Sequence, residues 1–396
     1  MSEAGTRAVR TWRAHGATLG PLAAWATVAL VLLTVQLLAN PGGVVSPWPV
    51  RGEALRGWVQ FDGPEYLSIA ASGYEARQLV WFPLYPLLLR AVDVLTGDPV
   101  VAGVLVSLLG GATATVLLAA WCRGAGMGTR ARRITLGLFL LYPYGWFLYG
   151  VVYSDALFVA VALGAFVAAQ RDRYVLAGLL GALATATRPS GFAVALGVLL
   201  VALEGSGALA RAPGRGGWLG ALRVPTQIDR ARLHPRLLGP LLAWAGLVAY
   251  CAYQWVAWGR PLRFVSEQAN YHDSGPGTLL KQQYFDAWYG GFDGRHLATT
   301  TAQGLLLVGV LLAVPAVGRR FGWGHGVLVL GLAALPAVSV STFMGIGRYL
   351  LPAFPVVALA GEWLAPRPRR AVGVLAVSGA LLGLLAYGFS RSWYLT

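Results

Sequence analysis

LVWFPLYPLLLRAVDVL, residues 79–95, decides how this chain is threaded. The stretch is apolar enough to cross a bilayer. If it crosses, the loop RGAGMGTRARR at 123–133 falls outside, and every later basic loop changes side with it. Lys and Arg collect instead in cytoplasmic loops. Pro83 and Pro86 near its start, and Arg90 and Asp93 near its end, suit a helix lying in the interface. We therefore read 79–95 as an outer-surface segment that does not span.

The rest of the chain follows from that placement. It has 396 residues, 57% hydrophobic and 12% charged, where a soluble domain carries about 25% charged residues. Its apolar runs are continuous, which excludes the alternating pattern of a membrane β-barrel. The fold class expected is an all-α polytopic membrane protein, one transmembrane domain over 1–396. About eleven spanning helices are expected, near 19–40, 98–122, 134–152, 155–169, 174–188, 190–203, 238–258, 302–318, 325–343, 349–365 and 371–389. The runs 134–169 and 174–203 are each split in two, at Tyr153-Ser154-Asp155 and at Arg188-Pro189-Ser190-Gly191. Unsplit, each would exceed a hydrocarbon core about 30 Å thick. The apolar segment from about Leu19 to Ala39 is longer than the core of a signal peptide and reads as an uncleaved helix.

The formal charge of +15 would suggest nucleic acid in a soluble protein. Here orientation absorbs it. Of the 31 basic residues, 20 fall on inner segments, which hold 5 of the 16 acids; the outer face is left near neutral. The inner loops meet anionic lipid, and no nucleic-acid partner is expected. Cys122 and Cys251 sit in apolar runs and have no disulfide or metal-ligand spacing. No phosphate-binding glycine loop occurs, so ATP hydrolysis has no support. Thirty of the 31 basic residues are arginine, which points to a GC-rich bacterial genome and hence a bacterial plasma membrane. The inner loop 204–237, rich in Gly, Arg and Pro, is expected to be partly disordered or interfacial.

Three outer pieces hold the candidate chemistry: the loop 41–97, the loop 259–301 and the turn GIGRY at 345–349. In FDGPEYLSIAASGY, residues 61–74, Asp62 precedes Gly63-Pro64 and a short helical stretch. It can cap that helix, or it can face a boundary cavity and serve as a general base. Glu65 shares roughly the same helical face and is either an orienting partner or a capping and solvated charge. Arg348 in the GIGRY turn and Arg188 in TATRPSGF can fork onto a phosphate, or they snorkel. Asp155 in YSDALF can pair with one of them. In the second loop stand His272, in YHDSG, and Lys281, the one lysine of the chain. The tract YFDAWYGGFDGRH, 284–296, suits either a carbohydrate surface or an interfacial aromatic belt. His272 and His296 lack metal spacing, and no zinc site is expected.

These motifs, taken in order, resemble PIG-V-type mannosyltransferases. That family includes the second mannosyltransferase of glycosylphosphatidylinositol synthesis and its bacterial relatives. The similarity rests on FDGPEYLSIAASGY, then WFPLYPLLLRAV, YSDALFVAVALGAF, GLLGALATATRPSGF and GRYLLPAFPVVALAG, and spans about residues 55–365. Phe61 stands where the family commonly has Trp. The resemblance implies a glycosyltransferase of the GT-C fold, with Asp62 as base and a polyprenyl-phosphate-mannose donor. The acceptor implied is a lipid-linked or glycolipid molecule on the extracytoplasmic side, with no metal or other cofactor required. Arg348 is then the first choice for the departing phosphate, ahead of Arg188 and Lys281. Trp81, Phe82 and Tyr85 would line the lipid or sugar entrance, with Tyr66, Asp155, Tyr349, Glu65 and His272 as further substrate contacts. Two rivals stay open: a flippase for a lipid-linked sugar, and the same fold using a different polyprenyl-phosphate sugar.

Overall fold

The structure, a computed structural model, describes residues 3–39, 53–211, 226–271, 278, 280–290 and 294–393. The chain opens with α1 (Glu3–Ala39). The chain then folds into a 3-10 turn (Glu53–Trp58), α2 (Gly63–Ser72), a second 3-10 turn (Ala76–Val80) and α3 (Leu84–Thr96). α4 (Pro99–Gly124) and α5 (Thr129–Leu140) lead to a central α6 (Asp155–Ala169), flanked by α7 (Tyr174–Thr187) and α8 (Gly191–Gly205). A two-stranded antiparallel pair, β1 (Leu209–Arg211) with β2 (Thr226–Ile228), follows α8, Leu209 opposite Ile228. After it come α9 (Ala245–Trp258), reached through a 3-10 stretch from Pro235, then α10 (Arg263–Tyr271), α11 (Gln282–Tyr289) and α12 (Gly294–Phe321). The last elements are α13 (Trp323–Ser339), the one-turn α14 (Ile346–Tyr349), α15 (Phe354–Leu364) and α16 (Pro368–Ser390).

Among the described residues five helical segments are long and apolar enough to cross a membrane: Thr18–Ala39, Pro99–Gly124, Pro235–Trp258, Gly294–Phe321 and Pro368–Ser390. Five shorter apolar helices accompany them: α6, α7, α8, α13 and α15. This is an all-α integral membrane protein. α6 is apolar on every side and buried at all but one position, as expected of a helix at the centre of a bundle. α1 and α16 instead leave Leu38, Val372 and Val377 more than 60% exposed, a surface suited to lipid tails.

The segment that decided the threading is broken, as its prolines require. Residues 76–80 form a 3-10 turn, and α3 runs only from Leu84 to Thr96 before Gly97 ends it at φ +62°. Thirteen residues rise about 20 Å, short of the roughly 30 Å core, and α3 is not one of the span-length apolar helices. The next helix starts sharply. Asp98 caps α4 by accepting from the N–H groups of Val100 and Val101 at 2.9 and 3.2 Å, with Pro99 in the first turn.

Three expected helices are corrected. The segment expected to span at 134–152 is helical only to Leu140. Beyond it Pro143 offers no N–H, and Gly150 sits at φ +106°. The irregular stretch 141–154 is held inside the bundle through its carbonyls: Trp25 Nε1 donates to Leu148 O at 3.2 Å and Ser107 Oγ to Val151 O at 2.6 Å. Non-helical backbone at this depth needs such partners. The segment 325–343 ends its helix at Ser339, and 349–365 is interrupted before Phe354, with Pro352 in the break. At the ends of the loop 204–237 the β1–β2 pair ties Leu209–Arg211 to Thr226–Ile228; residues 212–225 lie outside the described residues.

Candidate active site

Two of the corrected breaks, at 141–154 and after Ser339, bear on one place. A cavity of about 620 Å³ is walled by residues before α2, the α7–α8 junction, α10 and the 339–349 segment. That volume lies within the roughly 300–1,000 Å³ typical of ligand sites. Its charged lining is Asp62, Arg188 and Arg348.

Asp62 does not cap α2. Its backbone is already helical, at φ −72° and ψ −15°, and its side chain makes no capping bond. The carboxylate reaches across 286 residues of chain to Arg348, whose Nη1 donates to Oδ2 at 2.8 Å. The Asp62 N–H donates to the Tyr153 hydroxyl at 2.9 Å, which pins the backbone. Phe61, just before it, is held at φ +50°, left-handed for a bulky residue. Backbone strain of this kind collects at functional sites.

Arg348 is positioned with equal care. Its turn begins at Gly345, φ +82°, a conformation that favours glycine. Gly347 lets the turn press on an aromatic ring: a Cβ there would lie 2.3 Å from Tyr144 Cγ. Tyr142 Oη donates to the Gly347 carbonyl at 2.9 Å, and the Gly347 N–H donates to Gln303 Oε1 at 3.0 Å. The guanidinium stands over Tyr153 at 5.1 Å, Tyr349 at 5.2 Å and Phe147 at 5.8 Å. Its buried Nε–H has no acceptor among the described residues.

Arg188 forms a second ion pair, with Asp155, in a drier place: the side chains are 9% and 2% exposed. Pro189 breaks α7 from α8 and turns Arg188 to the cavity, where its guanidinium stacks 5.1 Å from the Tyr349 ring. Tyr349 thus lies between two guanidinium groups.

The remaining sequence candidates divide. Tyr66, Trp81, Phe82 and Tyr349 line the cavity. The Tyr66 hydroxyl shares a hydrogen bond with Ser154 Oγ at 2.9 Å, and burial pushes its phenol above the usual range. Tyr85 is fully buried behind Tyr66, ring edge to ring face at 4.9 Å, and does not reach the cavity. Glu65 turns away: it accepts from Arg77 Nη1 at 2.9 Å and Gln78 Nε2 at 2.8 Å and lies outside the lining. Asp155 stands behind the wall and acts through Arg188. Lys281 is buried beneath α13, where its ammonium donates to the carbonyls of Ala337 and Val340; burial pulls its pKa down. It closes the end of α13 and is not a lining residue. His272 lies outside the described residues.

The structure adds lining residues that sequence reasoning did not single out: Tyr153, Ser190, Gln268 and Gln283. Tyr153 was within reach, because it directly precedes the Ser154-Asp155 break. Gln268 and Gln283, on the short helices α10 and α11, carried no signal in the sequence. Among the described residues no group of three or more His, Cys, Asp or Glu could hold a metal ion. No protein-family model, curated protein or solved structure matches this chain.

Proposed function

We propose that this chain is a membrane glycosyltransferase of the GT-C type. It takes mannose from a polyprenyl-phosphate-mannose donor and passes it to a lipid-linked or glycolipid acceptor on the extracytoplasmic face of a bacterial plasma membrane. The observation that carries the reading is the 2.8 Å contact between Asp62 and Arg348 at the wall of a 620 Å³ cavity. It puts a carboxylate that caps nothing beside a cation suited to phosphate.

In the reaction, an acceptor hydroxyl attacks the anomeric carbon while Asp62 takes its proton. The new bond is acceptor oxygen to C1. The bond that breaks is C1 to the phosphate oxygen, and its electron pair leaves with the polyprenyl phosphate. One displacement inverts the anomeric centre. Asp62 then returns its proton to water. General-base catalysis supplies about 10²–10⁴-fold; positioning and the cation on the departing phosphate supply the rest. Arg348 is that cation. Arg188, tied to Asp155, holds Tyr349 and the cavity wall in place. Trp81 and Phe82 offer an apolar wall for the prenyl chain or the sugar face.

The test is transfer itself. Purified protein is incubated with radiolabelled polyprenyl-phosphate mannose and a membrane lipid extract. A labelled glycolipid is expected from the wild type and none from Asp62→Asn. Near-normal turnover by that variant removes Asp62 as the base. Movement of the lipid across vesicles without a new glycosidic bond makes the protein a flippase.

A further inference from the structure

Three contacts close a triangle at the cavity wall. Arg348 Nη1 donates to Asp62 Oδ2 at 2.8 Å, the Asp62 N–H donates to Tyr153 Oη at 2.9 Å, and the Tyr153 ring lies 5.1 Å from the Arg348 guanidinium. Phe147 and Tyr349 also stand beside that guanidinium. Among the described residues, Tyr153 is the one ring that touches it and also bonds Asp62. Each half of the side chain suits its contact. The ring is fully buried and packed against Phe147 at 5.0 Å, Tyr66 at 6.1 Å and Phe389 at 6.1 Å, and an aromatic face attracts a guanidinium. The hydroxyl accepts where the backbone most needs holding. Phe61, at φ +50°, keeps a conformation that persists in a bulky residue only where the surroundings over-determine it. The Asp62 N–H belongs to the planar peptide that follows Phe61, so its bond to Tyr153 fixes that plane. On its other side, the Asp62 carbonyl accepts from the N–H groups of Glu65 and Tyr66 at 3.1 and 3.3 Å, where α2 begins. The segment that carries Tyr153 is itself tied down, with the Val152 N–H donating to Trp58 O at 3.0 Å.

We propose that Tyr153 is a positioning residue of this site, setting the base through its hydroxyl and the cation through its ring. This rests on the proposed function and adds to it the residue that registers Asp62 against Arg348. The two roles reside in different atoms, so substitution separates them. Tyr153→Phe keeps the ring beside Arg348 and takes the acceptor from the Asp62 N–H. Phe61 is then free to leave its left-handed conformation, and the carboxylate moves with the peptide between them. Tyr153→Leu removes both contacts at once.

Three readouts on the full chain in detergent micelles test this. They are amide hydrogen exchange of the peptide carrying Asp62, binding of farnesyl phosphate as a short-chain phosphate probe, and steady-state transfer from polyprenyl-phosphate mannose. Tyr153→Phe is expected to exchange faster at Asp62 and to bind farnesyl phosphate as the wild type does. Its kcat is expected to fall about 10²-fold, the scale of a misplacement of about 1 Å at a reacting group, with the donor KM unchanged. Tyr153→Leu is expected to show the same losses and to hold farnesyl phosphate about 2–30-fold more weakly, the span of a lost cation–ring contact. Arg348→Gln is expected to lose the probe; retained binding removes Arg348 as the phosphate cation, and the role of the ring with it. A purely structural role would lower affinity and turnover together in Tyr153→Phe, and that result overturns the proposal. Unchanged exchange at Asp62 in the same variant overturns it whatever happens to turnover, as does a folded Tyr153→Leu that binds farnesyl phosphate at wild-type affinity. Tyr153→Phe decides the matter by itself if the Leu variant does not fold. A wild type that makes no labelled glycolipid sinks the enzyme reading, while exchange and probe binding still judge Tyr153.

Discussion

Replacing Asp155 by Asn tests how the interior of the bundle holds the cavity wall. The change is nearly isosteric, so it removes charge and little volume. What remains is the Arg188 guanidinium, 9% exposed, with its carboxylate partner gone. Arginine does not escape by giving up its proton. Breaking a buried pair by removing one partner costs about 3–5 kcal/mol, because the other charge stays buried and uncompensated. Stacking on Tyr349 and Phe158, at 5.1 and 5.9 Å, survives the change and returns little of that; a contact of this kind is worth about 0.5–2 kcal/mol. Removing both charges has a different result. Asp155→Leu with Arg188→Met keeps apolar volume and leaves no buried ion, and such replacements are neutral or stabilising by about 1–4 kcal/mol. Equilibrium unfolding in mixed micelles, followed by tryptophan fluorescence, measures all the variants. We expect a loss of several kcal/mol in Asp155→Asn and near wild-type stability in the double variant, which also loses transfer because Arg188 is gone. A loss under about 1 kcal/mol in Asp155→Asn, or a double variant less stable than Asp155→Asn, refutes the account of this pair as a buried support of the cavity wall.

Glu65→Gln is expected to keep transfer within about threefold of wild type, because Glu65 bonds Arg77 and Gln78 away from the cavity; loss of turnover in the radiolabel assay would return it to the site. Gly347→Ala drives a Cβ into the Tyr144 ring, 2.3 Å from its Cγ. Stability measured by thermal unfolding should fall by about 1–3 kcal/mol, the usual penalty of overpacking, and transfer in the radiolabel assay should fall with it as Arg348 shifts. Burial lowers the Lys281 pKa below 10.5, so between its folded value and 10.5 the unfolded chain binds more protons. Stability from this group therefore rises with pH across that window. The unfolding free energy of Lys281→Met should lack that rise, and parallel pH profiles of the two proteins would show that the ammonium is not the source.

The helical membrane class and most helix positions were legible in the sequence. Hydrophobic length is a property of local composition, and composition is what a bilayer reads. The arrest at Gly97, the cap at Asp98 and the break at Pro189 also follow from residue chemistry alone. The largest departure has two causes. The segment 134–152 is apolar enough to span, yet its helix ends at Leu140: Pro143 offers no N–H, and Trp25 and Ser107, far away in sequence, supply donors for the carbonyls that follow. The proline stands in the sequence; no window of it contains the compensation.

The same division runs through the site. The sequence put Asp62 ahead of Glu65, but it left each open to a capping role: two carboxylates three residues apart at the start of one short helix. The fold separated them, by giving Glu65 an exposed arginine of its own loop and Asp62 an arginine 286 residues away. The chain by itself determined that this protein lies in a membrane and where some of its helices break, because each of those is paid in local hydration and backbone hydrogen bonds. Only the tertiary structure decided which carboxylate meets which guanidinium, because a charge pair is set by distance in space, and the bundle brings together residues that the sequence keeps apart.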